Sequence, residues 1–211
     1  MLDKQHQDRL RRTIEAIDAC NRQDPHTVCE HGIDRPWELV HAETMTRWVT
    51  TLDPAPSDEL LIAARAQHIC RWEIPRETYP ETRQGYHHWR NDLKQYHAKL
   101  TGEIMTEMGY DTEAIEKVQR LNRKEGLGRA DSDPDVQTIE DALSLTFLEY
   151  RLEKFARRGE HPDDKLVRIL HKTMKKMSGP AIEHAQTLRF EPKVEALFQQ
   201  AIDQLKPKQH P

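Results

Sequence analysis

Apolar residues recur every three or four positions along most of this 211-residue chain, which is the repeat of an amphipathic helix rather than of a strand. Leu10, Ile14 and Ile17 share one side of a first helix. The run NRQDPHTVCEHGIDRP then reads as a loop. A second helix opens near Trp37, where Trp37, His41, Met45, Trp48 and Leu52 follow at helical spacings and place His41 on an apolar stripe. After DPAPSDEL, Ser57 and the two acids behind it supply a helix start for Leu60 to Trp72, and Pro75 ends that segment. The middle of this helix carries Gln67 and His68 among small apolar residues, with Arg71 a turn later.

Further helices are expected from about Tyr86 to Met108, from Asp111 to Lys124, from Val136 to Phe155, from Leu166 to Met177 and from Glu191 to Leu205. In the Val136 to Phe155 segment, Val136, Ile139, Leu143, Phe147 and Tyr150 mark one face, while Leu145, Leu148 and Leu152 cover the next. So broad an apolar surface suits a central helix and turns Asp141 inward, where a carboxylate needs a partner. With about seven helices and little strand-like alternation, the expected fold is all-α, a compact multi-helix single domain over residues 1–205. A short polar tail, 206–211, follows.

Composition narrows the function. Charged residues make up 32% and hydrophobic residues 36%, enough apolar material for a helical core under a strongly polar surface. The net charge of −4 speaks against a wholly basic nucleic-acid module and suits a small phosphorylated ligand held by a local basic patch. Cys20, Cys29 and Cys70 are few and scattered, so neither a disulfide framework nor a thiolate zinc site is expected. With no signal-like segment and no bilayer-length apolar run, the chain is expected to be cytoplasmic, without a membrane partner.

Two groups of residues carry candidate chemistry. His41, His68, His97 and Asp141, if they converge, offer three imidazoles and a carboxylate, a ligand set for iron, manganese, zinc or cobalt. Glu38, one turn before His41, is placed to orient the second ring nitrogen of that histidine. Glu103 is a candidate for orienting water, with His68 as a second acid-base group. The other group is the linker EIPRETYPETRQGYHHWR, which gathers Arg76, Arg83 and Arg90 with Tyr79, Tyr86 and Trp89. Guanidinium forks there suit phosphate and the rings suit stacking, so Gln67, Arg71, Arg76, Tyr79, Arg83, Tyr86 and Arg90 form the expected substrate-binding set. The competing reading has the rings anchor a long loop and the arginines pair with its glutamates. There is no HExxH helix, P-loop or dinucleotide-binding glycine loop.

The segments AARAQHICRWEIPRETYPETRQGYHHWR, LKQYHAKLTGEIMTEMGYD and VQTIEDALSLTFLEYRLEKFA together resemble the domain-of-unknown-function 4202 family over nearly the whole chain. More weakly, the arrangement resembles the all-helical HD metal-dependent phosphohydrolases. That resemblance implies metal ligands at His41, His68 and Asp141, with His97 as an additional ligand. Ile69 stands where the motif has its aspartate. The expected activity is a divergent metal-dependent phosphohydrolase acting on a nucleotide or other small phosphorylated substrate, with Arg76 or Arg83 neutralising charge. The alternatives are a non-catalytic nucleotide-, RNA- or protein-binding helical domain, and a non-haem iron protein.

Overall fold

The structure is a computed structural model that describes residues 2–30, 32–157 and 162–205. The polar tail expected at 206–211 and the centre of the RRGEHPDD break lie outside the described residues. The described residues form ten α-helices, two short 3-10 turns and one two-stranded hairpin, so the fold is all-α. Contacts divide the chain into two compact units, Met1–Ile139 and Glu140–Pro211.

The first unit begins with α1 (Leu2–Asn21), which buries Ile17 completely. The loop expected next contains β1 (Thr27–Glu30) and β2 (Ile33–Pro36), paired antiparallel from Thr27 opposite Pro36 to Glu30 opposite Ile33. Gly32, at φ +80°, supplies the left-handed backbone for the tight connection. A strand pair this short leaves no two-residue hydrophobic repeat, which is why its sequence reads as a loop. Arg35 fixes the hairpin to the rest of the unit, bonding Glu30 at 2.5 Å and Glu43 of the following helix at 2.7 and 2.9 Å.

That helix, α2 (Trp37–Leu52), buries Leu39, Val40, His41, Met45, Trp48 and Val49, the stripe expected from its spacing. α3 (Asp58–Arg65) starts on Ser57, whose hydroxyl accepts from the Leu60 amide at 3.2 Å. It stops seven residues before the expected end. α4 (Arg83–Glu107) starts on Thr82, and α5 (Thr112–Arg123) on Asp111, each through a side-chain oxygen that accepts a backbone N–H. Between them Gly109, at φ +76°, turns the chain. α4 and α5 pack together, α3 packs on α5, α2 and α1, and α1 also meets α2 and α4. Leu60, Ile62, Ala63, Ala64, Leu93, Ala98, Met105, Val118 and Leu121 fill this core.

The division between units falls within α6 (Pro134–Tyr150). α7 (Leu152–Arg157) follows after one residue, so the single helix expected over Val136 to Phe155 is interrupted at Arg151. Backbone bonds from Arg151 to Phe147 and from Phe155 to Arg151 keep helical spacing across the interruption. In the second unit α10 (Pro192–Asp203) packs on α7 and α8 (Asp163–Met174), and α9 (Gly179–Thr187) begins on Ser178. Leu166, Leu170, Met174, Val194, Leu197, Phe198 and Ile202 are buried there. Asp141 is also buried, and its carboxylate accepts the Ser178 amide N–H at 2.9 Å. No helix among the described residues is long and apolar enough to cross a membrane.

Candidate metal centre

The backbone carrying His68 is a tight turn, not the helix the sequence predicts. After Arg65 the hydrogen bonds shorten from four-residue to three-residue spacing, with Gln67 bonded to Ala64, Ile69 to Ala66 and Arg71 to His68. Cys70 ends the turn in the left-handed region at φ +49°. Tertiary contacts hold this conformation, because the segment has no glycine or proline to stop a helix. Arg65 grips Asp18 of α1 through two bonds of 2.6 and 2.7 Å. The Cys70 backbone N–H donates to the Asn21 side chain at 3.2 Å, and the Gln67 side-chain Nε2 to the Asn122 carbonyl at 3.3 Å. α1 and α5 thus fix the direction in which His68 points.

His68 meets α2. Its ring stacks on that of His41, with centroids 3.9 Å apart and planes 13° from parallel. Both rings turn Nδ1 toward Oε2 of Glu38, His68 at 3.4 Å and His41 at 4.0 Å. All three residues are buried, and one ligand atom from each lies within 4.8 Å of the others. A four-coordinate ion with bonds of about 2.1 Å spaces its ligand atoms by roughly 3.4 Å, so this cluster needs little contraction to close on one.

Asp24, whose side chain is 1% exposed, sets the position of Glu38. One of its oxygens accepts the Glu38 amide at 2.9 Å and caps α2 from outside the helix, where Pro36 supplies no side-chain cap. The other oxygen accepts the His26 amide at 2.9 Å. Asp24→Ala is expected to cost about 1–2 kcal/mol, the loss of a buried cap. An unchanged urea midpoint would remove this role from Asp24.

His97, on α4, lies beside the cluster with its ring centroid 5.8 Å from that of His68. Burial, then the charge of Arg71, then that of Arg90 hold its imidazole down at about pKa 3, against a hydrogen bond to the Gln67 backbone that acts the other way. It is therefore neutral near pH 7. Its Nε2 has no hydrogen-bond partner among the described residues, and neither has Oε1 of Gln67. The unfolded chain takes up a proton near pH 6.5 that the folded chain refuses until about pH 3. The stability from this group is complete above pH 6.5 and falls by about 1.4 kcal/mol per unit as pH drops toward 3. Urea unfolding between pH 6.5 and 4 is expected to show a shallower decline in His97→Gln, and equal slopes would contradict this assignment.

The remaining expected site residues have diverse placements. Arg76 spends its guanidinium inside the linker, donating to the Tyr79 carbonyl and the Pro80 carbonyl, both at 2.9 Å. Tyr79 donates its hydroxyl to Asp92 at 2.7 Å, and Trp89 its indole N–H to the Ile74 carbonyl at 2.9 Å. The Arg71 guanidinium lies 4.7 Å from the Trp89 ring centre. Arg83 and Tyr86 are exposed on the first turns of α4, Tyr86 with its ring 5.8 Å from that of Trp89. Arg90 is half-buried on the same helix. Glu103 faces solvent, 3.7 Å from Lys99. Asp141 belongs to the second unit.

The structure brings together His41 and His68 of the expected ligand set, places His97 next to them, and adds Glu38 as a direct member of the cluster. Residues 11–198 match the family described as Domain of unknown function (DUF4202). The chain belongs to this family. No curated protein and no solved structure matches this DUF4202 chain, so its chemistry has to be argued from its own residues.

Proposed function

We propose that this DUF4202 protein binds a divalent transition ion through Glu38, His41 and His68 and hydrolyses a small phosphorylated substrate there. The observation that carries the reading is the buried Glu38–His41–His68 cluster. One carboxylate oxygen and two imidazole nitrogens brought this close together make the mixed oxygen and nitrogen donor set that a four-coordinate transition ion takes. One carboxylate with two neutral nitrogens suits zinc, iron, manganese or cobalt better than magnesium or calcium, which prefer all-oxygen shells.

The cluster also bears on the likeness to HD phosphohydrolases. Ile69 replaces the aspartate that follows the histidine in that motif, and it is fully buried. Glu38 supplies a carboxylate from the first turn of α2 instead, one turn before His41. When bound, the ion would polarise a phosphoryl oxygen and acidify a water. The chain's own residues set the rest of the site. His97 is held neutral and can accept a hydrogen bond at Nε2, and Gln67 offers Oε1 to a donor on the substrate. Arg71, close enough to depress His97, supplies positive charge for a phosphate, whereas the bonds of Arg76 close its own loop.

The test is metal analysis of the purified protein, followed by hydrolysis assays with zinc, manganese, iron and cobalt on nucleoside monophosphates and p-nitrophenyl phosphate. Stoichiometric metal and turnover, both lost in His68→Ala, are expected. A folded protein that takes up none of these ions would overturn the reading.

A further inference from the structure

A chain of hydrogen bonds beside the cluster runs in one direction and ends on acceptors. The Thr101 hydroxyl gives its proton to the His97 carbonyl at 2.7 Å, one turn back on α4. Its oxygen is then left to accept, so the Asn122 side chain on α5 must face it with Nδ2, at 3.0 Å. The Asn122 backbone carbonyl also only accepts, and the Gln67 side chain meets it with Nε2 at 3.3 Å. Both carboxamides are thereby oriented with their oxygens at the other end. Oδ1 of Asn122 and Oε1 of Gln67 have no hydrogen-bond partner among the described residues, and neither has Nε2 of His97. Gln67, His97, Thr101 and Asn122 are all at most 4% exposed. Gln67 precedes His68 in sequence, and the His97 ring lies 5.8 Å from that of His68, so this group borders the candidate metal centre. A buried acceptor without a partner carries a desolvation cost that an incoming donor removes.

We propose that Gln67 and Asn122 are the specificity-determining residues of this site and that, with His97, they receive neutral hydrogen-bond donors, hydroxyls or an amino group, on the moiety esterified to phosphate. The inference rests on the reading that the phosphoryl group lies at Glu38, His41 and His68. Two carboxamide oxygens and a neutral imidazole carry no formal charge, so they suit O–H and uncharged N–H groups; a buried ammonium would call for a carboxylate, and none belongs to this group. Neither carboxamide can exchange its oxygen for its nitrogen. A flipped Gln67 would set oxygen against the Asn122 carbonyl, and a flipped Asn122 would set oxygen against the Thr101 oxygen, whose proton is already given to His97. Acceptors fixed in this way discriminate strongly, because an analogue lacking the donor leaves them buried and unpaired. Sugar phosphates and nucleoside monophosphates carry such donors, whereas simple aryl phosphates do not.

The experiment is isothermal titration of the wild-type full chain, supplemented with zinc, with adenosine monophosphate, its 2′,3′-dideoxy analogue, purine riboside monophosphate and phenyl phosphate. Removing the donors that the group reads should weaken binding at least about 10-fold. A loss confined to the dideoxy analogue assigns the sugar hydroxyls, and a loss confined to purine riboside monophosphate assigns the base amino group. Either supports the proposal. Equal affinity for adenosine monophosphate and both analogues overturns it and leaves the metal-centred reading standing, since phenyl phosphate reports the phosphate anchor alone and metal uptake is measured separately. If none of the compounds binds, both readings fall. Gln67→Met and Asn122→Leu should each bring the ratio between adenosine monophosphate and the discriminated analogue toward one. The wild-type comparison decides the matter by itself should either variant fold poorly.

Discussion

Glu38→Gln is expected to lower the affinity for a divalent transition ion by at least about 100-fold while leaving the helical fold intact. The substitution keeps the size and the amide-bonded position of residue 38 and removes only its charge. Loss of a group that merely orients a metal ligand costs roughly 10–100-fold, so a direct carboxylate ligand should exceed that range. His41→Ala and His68→Ala should do the same, because each leaves an ion with one nitrogen fewer. Glu103→Gln is the control, since that carboxylate faces solvent beside Lys99. Isothermal titration with zinc and cobalt, alongside circular dichroism, checks all four. Wild-type affinity in Glu38→Gln would reduce the cluster to an internal hydrogen-bonding group and end the case for a metal enzyme.

The second large effect concerns stability. Asp18→Ala is expected to cost about 3–5 kcal/mol, because it strands the Arg65 guanidinium at a place where both side chains are about nine-tenths buried. Glu43 lies 3.9 Å from the same guanidinium and offsets part of the loss, which puts the value toward the lower end of that range. The double variant Asp18→Leu with Arg65→Met removes both charges and should recover most of it, as apolar replacements of buried pairs commonly do. Urea unfolding of the three variants measures this directly. A single variant within about 0.5 kcal/mol of wild type would show that the pair is solvated in practice.

The fold was legible where local signals agree with tertiary packing. Ser57 starts α3, Asp111 starts α5, and the stripe from Trp37 to Leu52 is the buried face of α2. The end of α3 was not legible. AARAQHICRW contains no residue that breaks a helix, and Cys70 takes up a left-handed backbone that its side chain disfavours. The turn exists because Asp18, Asn21 and Asn122, distant in sequence, bind its residues.

The site divides in the same way. His41 and His68 drew notice as polar groups in apolar runs, and this follows from periodicity alone. Glu38 looked like a helper of His41, since spacing of one helical turn shows only the neighbour on the same helix. Its approach to His68 depends on how the turn after α3 is placed against α2, which no local pattern encodes. The Arg-aromatic linker shows the reverse. Arg76, Tyr79 and Trp89 form a conspicuous cluster in sequence, yet their polar atoms bind the linker's own carbonyls and Asp92. Residue types that suit a ligand suit the closure of a long loop equally well.

The Asp24 carboxylate makes the span from Asp24 to Glu38 a ruler. It holds the chain at both ends of the hairpin, at the His26 amide before β1 and the Glu38 amide after β2. Residues added at the Gly32 tip would lengthen the hairpin outward and leave those two anchor points where they are. A single residue inserted between Pro36 and Glu38 would instead rotate the start of α2 by about 100° and carry the carboxylate away from both imidazoles. The tip is therefore the place to graft a tag or label, and the stem is where the site's dimensions are set.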